Sequence, residues 1–374
     1  MIPYSRQSIS DDDIAAVTAV LRSDWLTQGP TVAAFEKALA EYCGTKFAVA
    51  VPNGTAALHL AYKAVGLSEG DELITSPNTF VATTNMALVC GAKPVFADIR
   101  RDTRNIDEAK IEALITKKTK AIVPVHFAGH PCEMDAIRHI AKKHDLLVIE
   151  DACHAIGAEY NGRRIGSLSD LSVFSFHPVK PITTGEGGAI LTNNEEYYKK
   201  TLVLRTHGIM KDPKKTESIG KWFYEMVDMG FNHRITDIQC ALGISQLQRL
   251  DQFQSQRETV AQYYFEKLRD ESRIILPVRL PHIKHSWHLF AIEVRDVSKR
   301  RAVFDYLQKN GIGVQVHYIP VHYQPYYRQL GYGKKKYPNA ERYYAGAISL
   351  PIYPDLTRAE QDFVIEKLRE VLDS

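Results

Sequence analysis

The sequence predicts a doubly wound, mostly parallel α/β domain followed by a smaller α+β domain, and three observations lead to this fold class. Between residues 47 and 149, short apolar runs alternate with segments of helical periodicity. The clearest apolar runs are solid, which is typical of strands in a sheet covered on both faces. Beyond residue 234 the alternation gives way to a long helical region and a mixed group of elements. We therefore expect a large domain over residues 1–246 and a small C-terminal domain over residues 247–374.

The elements of the large domain follow in chain order. Ser10 and the three aspartates after it predict the start of a first helix, and a second helix from Val32 to Tyr42 ends at Gly44. The repeated β-α units are then strand Phe47 to Val51, helix Thr55 to Val65, strand Glu72 to Thr75, helix Val81 to Val89, strand Pro94 to Ile99, helix Asp107 to Ile115, strand Ala121 to Val125, helix Glu133 to Lys143 and strand Leu146 to Ile149. The apolar runs Leu171 to Phe176 and Ala189 to Leu191 predict two more buried strands.

The small domain is predicted from the remaining third of the chain. A helical region that starts at Arg234 places apolar residues mostly three or four apart and continues, with a bend, to Leu268. The elements expected after it are strand His288 to Val294, helix Lys299 to Lys309, strand Gly313 to His317 and helices Ala340 to Ile348 and Ala359 to Leu372.

Composition excludes several classes of protein. The chain is 45% hydrophobic and 24% charged, as soluble globular proteins are, and its net charge of +3 is scattered in short basic clusters that do not predict nucleic-acid binding. The five cysteines form no C-x-x-C pair, so we expect reduced thiols and no metal site. There is no signal-peptide core and no apolar run of about 18 residues, so the sequence predicts a cytoplasmic protein with no membrane association.

Lys180 is the residue on which the functional argument depends. It lies on a segment with two prolines and three glycines, between the two strands that begin at Leu171 and Ala189. A lysine held on such a stiff turn loses water, which lowers the pKa of its ammonium and favours a nucleophilic amine. The alternative is an ordinary solvated loop lysine, so the neighbours decide between the two.

Several chemistry-bearing residues are predicted at one edge of the sheet. Asp151 follows an apolar strand, and Gly54 and Thr55 begin a helix whose free N–H groups suit a phosphate. Phe80 precedes the next helix, and Ser175 lies five residues before the lysine. Each has a simpler alternative, as a helix cap, a core aromatic or a strand serine. Together they supply the amine, carboxylate, aromatic ring and phosphate cradle that a pyridoxal phosphate site requires.

A family resemblance extends over nearly the whole chain. The motifs T-Q-G-P, N-G-T-A-A-L, T-F-V-A-T-T-N, E-D-A-C-H-A-I-G, S-F-H-P-V-K-P-I-T-T-G-E-G-G, H-G-I, F-N-H-R-I-T-D-I-Q-C-A-L-G and V-H-Y-I-P resemble, in order, those of the fold-type I, pyridoxal-phosphate-dependent sugar-nucleotide aminotransferases. The resemblance implies pyridoxal 5′-phosphate as cofactor and a homodimer with shared active sites.

The same resemblance assigns the cofactor residues. Lys180 would be the Schiff-base lysine, and Asp151 would pair with the pyridine nitrogen. The other residues implied to touch the cofactor are Phe80 on the ring, Gly54, Thr55 and Ser175 on the phosphate, and Asn232 on the phosphate of the neighbouring subunit. His154 stands where many relatives have glutamine, which is a departure from the common pattern.

The stretch around Lys180, the opening P-Y-S and G-I-G-V-Q-V-H-Y are similar to one branch of the family, the UDP-4-amino-4,6-dideoxy-N-acetyl-β-L-altrosamine transaminases of pseudaminic acid synthesis. That likeness implies L-glutamate as amino donor and a UDP-linked 4-keto-6-deoxy-N-acetyl hexose, UDP-2-acetamido-2,6-dideoxy-β-L-arabino-hexos-4-ulose, as acceptor. The implied sugar-nucleotide contacts are Tyr4, Asp24, Trp25, Leu26, Thr27, Gln315, Val316, His317 and Tyr318. Arg234 is a guess for the clamp on the donor carboxylate.

Alternation within the strand predicted from Gly313 places Gln315 and His317 on the face opposite Val314 and Val316. That face either contacts substrate or is simply solvated.

Other functions stay open at this point. One is amination of a different nucleotide 4-keto or 3-keto sugar. A sugar dehydrase of the same fold carries histidine where Lys180 stands, and a cofactor-binding regulator would keep the fold without turnover. A nicotinamide enzyme would need G-x-G-x-x-G after the first strand, which Val51-Pro52-Asn53-Gly54 does not provide.

Overall fold

The computed structural model describes residues 1–373. Its α-helices are α1 Asp11–Leu21, α2 Pro30–Cys43, α3 Gly54–Ala64, α4 Ala82–Val89, α5 Met134–Lys143, α6 Glu195–Arg205, α7 Pro213–Ile219, α8 Asp237–Gln248, α9 Leu250–Leu268, α10 Arg300–Lys309, α11 Pro325–Gln329, α12 Pro338–Gly346 and α13 Arg358–Asp373. Its strands are β1 Phe47–Val51, β2 Glu72–Thr75, β3 Lys93–Phe96, β4 Thr119–Val123, β5 Leu147–Asp151, β6 Glu159–Tyr160, β7 Arg163–Arg164, β8 Leu171–Ser175, β9 Gly188–Thr192, β10 Ile209–Met210, β11 Glu225–Met226, β12 Ile274–Ile275, β13 Ile283–Lys284, β14 Phe290–Val294 and β15 Ala347–Leu350.

The large central sheet of the described chain has the strand order β1-β9-β8-β5-β4-β2-β3. Its strands run parallel except β9, which is antiparallel to both β1 and β8. The strands are almost wholly buried because helices pack on both faces, which explains why their sequences are solid apolar runs. The predicted α/β fold with a mostly parallel central sheet is confirmed.

A second apolar core lies in the C-terminal part of the chain. It packs β12, β14 and β15 against α10, α13 and the second half of α9, and it is separate from the cores that enclose the central sheet. Helix α9 belongs to both regions, since Phe253 packs in the large core and Tyr264 in the small one. The two-domain boundary between residues 246 and 247 stays a prediction.

Several predicted elements are confirmed with small shifts, and their signals are visible in the structure. Ser10 and Asp13 form a capping box at the start of α1, and Gly44 ends α2 in the left-handed conformation at φ 72°. The long helical region bends at Arg249, between α8 and α9.

Two predicted elements are wrong, and a third ends earlier than predicted. The helix predicted from Asp107 to Ile115 consists of two 3-10 turns, because its backbone N–H groups bond three residues back and its start is tied to Asp98. The segment predicted as a strand from Gly313 to His317 makes one isolated bridge, at Gln315, and Ile312 just before it makes another. The helix predicted to reach Ile348 stops at Gly346, since the next four residues pair with β14 as β15.

None of the described helices is long and apolar enough to cross a membrane. Within residues 1–373 there is also no cluster of three or more histidine, cysteine, aspartate or glutamate side chains that could hold a metal ion.

Candidate active site

A cavity of about 460 Å³ opens at the edge of the central sheet where β1, β5 and β8 end. This is the position at which open α/β sheets bind ligands, and the volume suits a cofactor with part of a substrate. More than half of the residues that the sequence predicts for the site line this one cavity: Tyr4, Gly54, Thr55, Phe80, Asp151, His154, Ser175, Lys180, His317 and Tyr318.

Lys180 enters the cavity from the loop between β8 and β9. Its backbone N–H donates to the carbonyl of His177 at 2.9 Å, which closes a turn, and Pro181 is buried behind it. Within residues 1–373 its Nζ makes no hydrogen bond or ion pair. Burial lowers the pKa of the Lys180 ammonium, so a larger fraction of the amine is neutral and nucleophilic at a given pH than for a solvated lysine.

Asp151, the last residue of β5, is only 5% exposed and is held at both carboxylate oxygens. Thr83 donates its hydroxyl to Oδ2 at 2.6 Å, and the backbone N–H of Cys153 donates to Oδ1 at 3.2 Å. The hydroxyl of Thr79 lies 2.8 Å from that of Thr83, and Tyr62 donates to the Thr83 carbonyl at 2.9 Å. This network fixes the carboxylate in one orientation inside the cavity.

The N-terminus of α3 forms a cradle that suits an anion. The Asn53 side chain caps the first turn by accepting the backbone N–H of Ala56 at 2.8 Å. The N–H groups of Gly54 and Thr55, the first two helical residues, have no intrahelical partners. A Cβ on Gly54 would lie 3.0 Å from the Cβ of Ser175, so glycine keeps the space between the helix and that hydroxyl open. A Cβ on Gly188 would come within 2.6 Å of the Asn53 carbonyl, so only glycine lets β9 approach the cradle.

Aromatic and imidazole rings form another wall of the cavity. The Tyr318 hydroxyl lies 2.9 Å from Nε2 of His154, whose ring centre is 4.3 Å from that of His288. Nδ1 of His154 and of His288 are buried and have no hydrogen-bond partner among the described residues. Burial lowers the pKa of both imidazoles well below the usual value and lowers that of His317 to about 4, so this wall is uncharged near neutral pH. Phe80 is 58% exposed, and its ring centre lies 6.0 Å from that of Tyr318.

The structure does not bring every predicted residue to this cavity. The segment of Asp24, Trp25, Leu26 and Thr27 is exposed, and Thr27 forms an isolated backbone bridge with Thr236. The residues outside the cavity in one chain are Asp24, Trp25, Leu26, Thr27, Asn232, Arg234, Gln315 and Val316. Their predicted contacts with cofactor and substrate stay predictions.

The structure shows where two of these residues, Arg234 and Gln315, lie instead. Arg234 lines a separate surface pocket together with Glu36 and Arg205. Gln315 is exposed and lies outside the cavity, whereas His317 lines it, so the expectation that the two share one face stays a prediction. The segment bridges Ser349 only at Gln315 and is not a regular strand, so strict alternation does not apply to it.

Sequence reasoning also missed some residues of the cavity. Thr83 could have been found, because it lies three residues after Phe80 within a quoted motif, in the first turn of α4. His288 carried no such signal, since it comes from the loop before β14, far along the chain from His154.

An α/β sheet that gathers a partly buried lysine, a fixed carboxylate and a helix N-terminus at the ends of its strands is typical of the pyridoxal-phosphate-dependent transferases of fold type I. The comparisons with known proteins agree with this class. The family model described as DegT/DnrJ/EryC1/StrS aminotransferase family matches residues 7–369. The chain belongs to that aminotransferase family.

Two relatives illustrate how much of the chain is shared. It is 44% identical to the spore coat polysaccharide biosynthesis protein SpsC of Bacillus subtilis over 99% of this chain and 97% of SpsC. It is 41% identical to UDP-4-amino-4,6-dideoxy-N-acetyl-beta-L-altrosamine transaminase of Campylobacter jejuni over 100% of this chain and 98% of that protein.

Solved structures give the same result. Helicobacter pylori PseC, an aminotransferase involved in the biosynthesis of pseudoaminic acid, superposes with a TM-score of 0.95 at 36% identity, over 100% of this chain and 99% of that one. The PLP-form of the putative sugar aminotransferase Spr1654 from Streptococcus pneumoniae superposes with a TM-score of 0.93 at 32% identity, over 100% of this chain and 98% of that one.

Proposed function

We propose that this protein is a pyridoxal-phosphate-dependent aminotransferase that moves the amino group of L-glutamate to C4 of a UDP-linked 4-keto-6-deoxy-N-acetyl hexose. The proposal depends on one observation, a single cavity that is lined by three features. They are the Lys180 amine, which has no hydrogen-bond partner in the described chain, the Asp151 carboxylate, which accepts two hydrogen bonds, and the N-terminus of α3. The enzyme acts in the cytoplasm as a homodimer.

The residues present fit the cofactor. A phosphate group would be held by the free N–H groups of Gly54 and Thr55 and by the hydroxyl of Ser175, where glycine keeps the space open. Phe80 would cover the pyridine ring from the open side of the cavity, and Asp151 would face the ring nitrogen. Bound pyridoxal 5′-phosphate supplies an aldehyde that carries the amino group and a ring that takes up electrons.

The chain's own side chains perform the proton chemistry. Asp151 would hold a proton on the ring nitrogen of the bound cofactor, and its two hydrogen-bond donors keep the carboxylate from turning away. With the cofactor bound, Lys180 would supply the amine that bonds it. Once free, that amine would accept the proton from the substrate carbon that carries nitrogen and pass it to the cofactor, and it would move a proton in the opposite direction when the sugar is aminated. The lowered pKa of Lys180 favours both roles, because a neutral amine is needed for each.

The proposed sugar substrate is supported by the relatives whose names specify a reaction. The transaminase of Campylobacter jejuni and PseC of Helicobacter pylori match over essentially their whole length. The sugar would occupy the side of the cavity formed by Tyr4, His317 and Tyr318. SpsC, which is also similar, has a name from spore coat polysaccharide synthesis, so the stereochemistry of the sugar needs its own experiment.

The homodimer is supported by an exposed apolar surface between residues 210 and 231. Trp222 is 72% exposed, and the other exposed large apolar residues of this surface are Met210, Ile219, Tyr224, Met226, Val227, Met229 and Phe231. Exposed apolar area on this scale marks an interaction surface. Asn232 follows directly, so a second copy seated here would bring Asn232 towards its partner's cavity.

The cofactor assignment is tested by chemical trapping. The purified protein incubated with pyridoxal 5′-phosphate should turn yellow, and borohydride should fix the mass of the cofactor onto the peptide that contains Lys180. Mass spectrometry of the digested protein identifies the labelled residue. Stable labelling at a different lysine contradicts the assignment of Lys180.

The substrate assignment is tested by turnover with two stereoisomers. The enzyme should convert the L-arabino 4-keto sugar in the presence of glutamate and discriminate against the D-xylo isomer, since a displacement of about 1 Å at the reacting carbon can cost on the order of a hundredfold in rate. NMR of the product gives its configuration. Preference for the D-xylo compound, or amination at C3, would refute the sugar assignment and leave the aminotransferase proposal standing.

A further inference from the structure

Residues 1–8, which we call the strap, run from the small core to the loop that carries Lys180. The N–H of Ile2 donates to the Gly311 carbonyl at 2.8 Å, and the Ile2 carbonyl accepts from Gly313 at 2.7 Å. The Tyr4 carbonyl accepts from the N–H of Ile352 at 3.0 Å. A Cβ on Gly313 would lie 2.9 Å from the Tyr4 nitrogen, so the close approach requires glycine. The strap is therefore bound to the small core over its first half.

The second half of the strap holds the loop of residues 176–187, which we call the lysine loop. Ser5 is buried, and its hydroxyl donates to the carbonyl of Val179 at 3.1 Å. Three residues beyond Lys180, Thr183 donates its N–H to the side chain of Gln246 at 3.4 Å, and the amide nitrogen of that glutamine donates to the Ser8 carbonyl at 2.9 Å. The lysine loop is thus connected to the strap on both sides of Lys180.

The contact made by Ser5 acts on the peptide unit that leads into Lys180. The oxygen of this unit belongs to Val179 and accepts from Ser5, and its N–H belongs to Lys180 and donates to the His177 carbonyl at 2.9 Å. Two hydrogen bonds at opposite ends of one planar peptide fix its orientation. Because Nζ of Lys180 has no partner in the described chain, the direction of its side chain depends on this backbone.

We propose that Ser5 is a positioning residue, which orients the Val179–Lys180 peptide so that the lysine amine reaches the reacting carbon each time it is released. The proposal rests on the proposed function of Lys180. A lysine that leaves and returns to its cofactor must find the same place at every turnover, and a small misplacement of a reacting group is costly. A merely structural Ser5 would lower stability without changing the reactivity of that amine.

Three variants separate these roles. Ser5→Ala removes the hydroxyl, and Ser5→Thr keeps it. Thr192→Val is the matched control, because the buried Thr192 hydroxyl also donates to a distant backbone carbonyl, that of Asp170 at 2.6 Å, yet Thr192 does not line the cavity. The melting temperature of each variant measures its loss of stability.

The first readout is the rate at which the cofactor-free protein attaches added pyridoxal 5′-phosphate, followed by visible absorbance. Ser5→Ala should slow attachment about tenfold, and Ser5→Thr should restore it to within about threefold, as expected for a misplaced nucleophile. Thr192→Val should attach the cofactor at the wild-type rate even with a lower melting temperature. An unchanged rate in Ser5→Ala, or equal slowing in Thr192→Val, overturns the proposal.

The second readout needs no cofactor. Hydrogen exchange at the Lys180 amide should be about tenfold faster in Ser5→Ala than in the wild type, because the peptide loses one of its two hydrogen bonds. Equal exchange rates overturn the positioning role whatever the outcome for the aminotransferase. If exchange is faster in Ser5→Ala but the wild-type protein never attaches the cofactor, the proposed function is refuted instead.

Discussion

The two halves of the predicted site differ in how much of their surface a single chain buries. The half at the edge of the central sheet is enclosed, with Asp151 buried beneath the cavity and held by two donors. The half formed by residues 24–27 and 232–234 is largely exposed, and Trp25 keeps 55% of its surface in solvent. The residues of the first half lie at or near the ends of strands, and the strand order of the sheet fixes the positions of those ends. The second half belongs to surface segments, which the proposed second copy of the chain would enclose.

The largest effect should come from the enclosed half. Lys180→Ala should reduce amino transfer by more than about a thousandfold, because in the proposed function the residue is both covalent partner and proton carrier. Binding of pyridoxamine phosphate should persist, since the cradle and Phe80 remain. Initial rates and equilibrium dialysis measure the two quantities, and Lys200→Ala, at an exposed helix position, is the control. Loss of cofactor binding would mean that Lys180 has a structural role.

Asp151→Asn should have the next largest effect. The variant keeps the shape of the carboxylate but not its charge, so the ring nitrogen loses its proton and the rate should fall about a hundredfold, as when preorganised electrostatic stabilisation is removed. Attachment of the cofactor to Lys180 should remain visible by absorbance. Asp270→Asn, on the surface, is the matched control. Activity near that of the wild type would exclude Asp151 from a role in charge stabilisation.

The exposed half is tested by mixing two inactive proteins. Asn232→Ala and Lys180→Ala, dissociated and re-associated in equal amounts, should form hybrid dimers in which one site is free of both lesions. In a two-fold dimer with random assortment this gives about a quarter of the wild-type activity. Activity no higher than the average of the two parent proteins would show that each chain builds its site alone and would remove the difference between the two halves.

The smallest expected effect concerns the stability of the protein in acid and involves His130, which lies outside the cavity. Burial lowers the pKa of His130 to about 4, and its Nε2 has no hydrogen-bond partner among the described residues, so protonation would place an unpaired charge in the interior. Since the unfolded pKa is near 6.5, this stabilisation is complete above that pH and is lost as the pH falls towards 4.

His130→Gln should therefore reduce the slope of the unfolding free energy against pH between pH 4 and 6.5 by the amount that about one bound proton contributes. Urea titrations across this range measure the slope, and His139→Gln, at an exposed position on α5, is the control. An identical slope in wild type and His130→Gln would mean that this histidine is charged in the folded protein.

The enclosed half was largely predictable because its residues follow strands. Lys180, Asp151 and Gly54 each lie next to an apolar run whose direction and neighbours follow from β-α alternation. The partners of these residues were harder to predict. His288 reaches the cavity from another part of the chain, and the Ser5 contact joins residues 174 positions apart. No local sequence pattern could therefore predict either of them.

The failed predictions have a common origin. The segment from Gly313 to His317 has the sequence of a strand, but its one bridge joins Gln315 to Ser349, and the preceding Ile312 bridges Ile2. Both partners lie far from the segment in the chain. The segment from Asp107 to Ile115 has helical periodicity, but contacts with the preceding strand region tie its start and leave 3-10 turns. Tertiary contacts overrode local preference in both cases.

Gly188 has a consequence for the fate of the protein in the cell. It pairs with Val51 on one side and Ser175 on the other, so the anion cradle exists only once three distant stretches of chain have joined. Cofactor can therefore bind only the completed native state, and by mass action it adds about 2.7 kcal/mol of stability when its free concentration is about a hundred times its dissociation constant. A cell short of the cofactor would hold more unfolded chain exposed to proteolysis, so the cofactor supply sets how much of the protein survives.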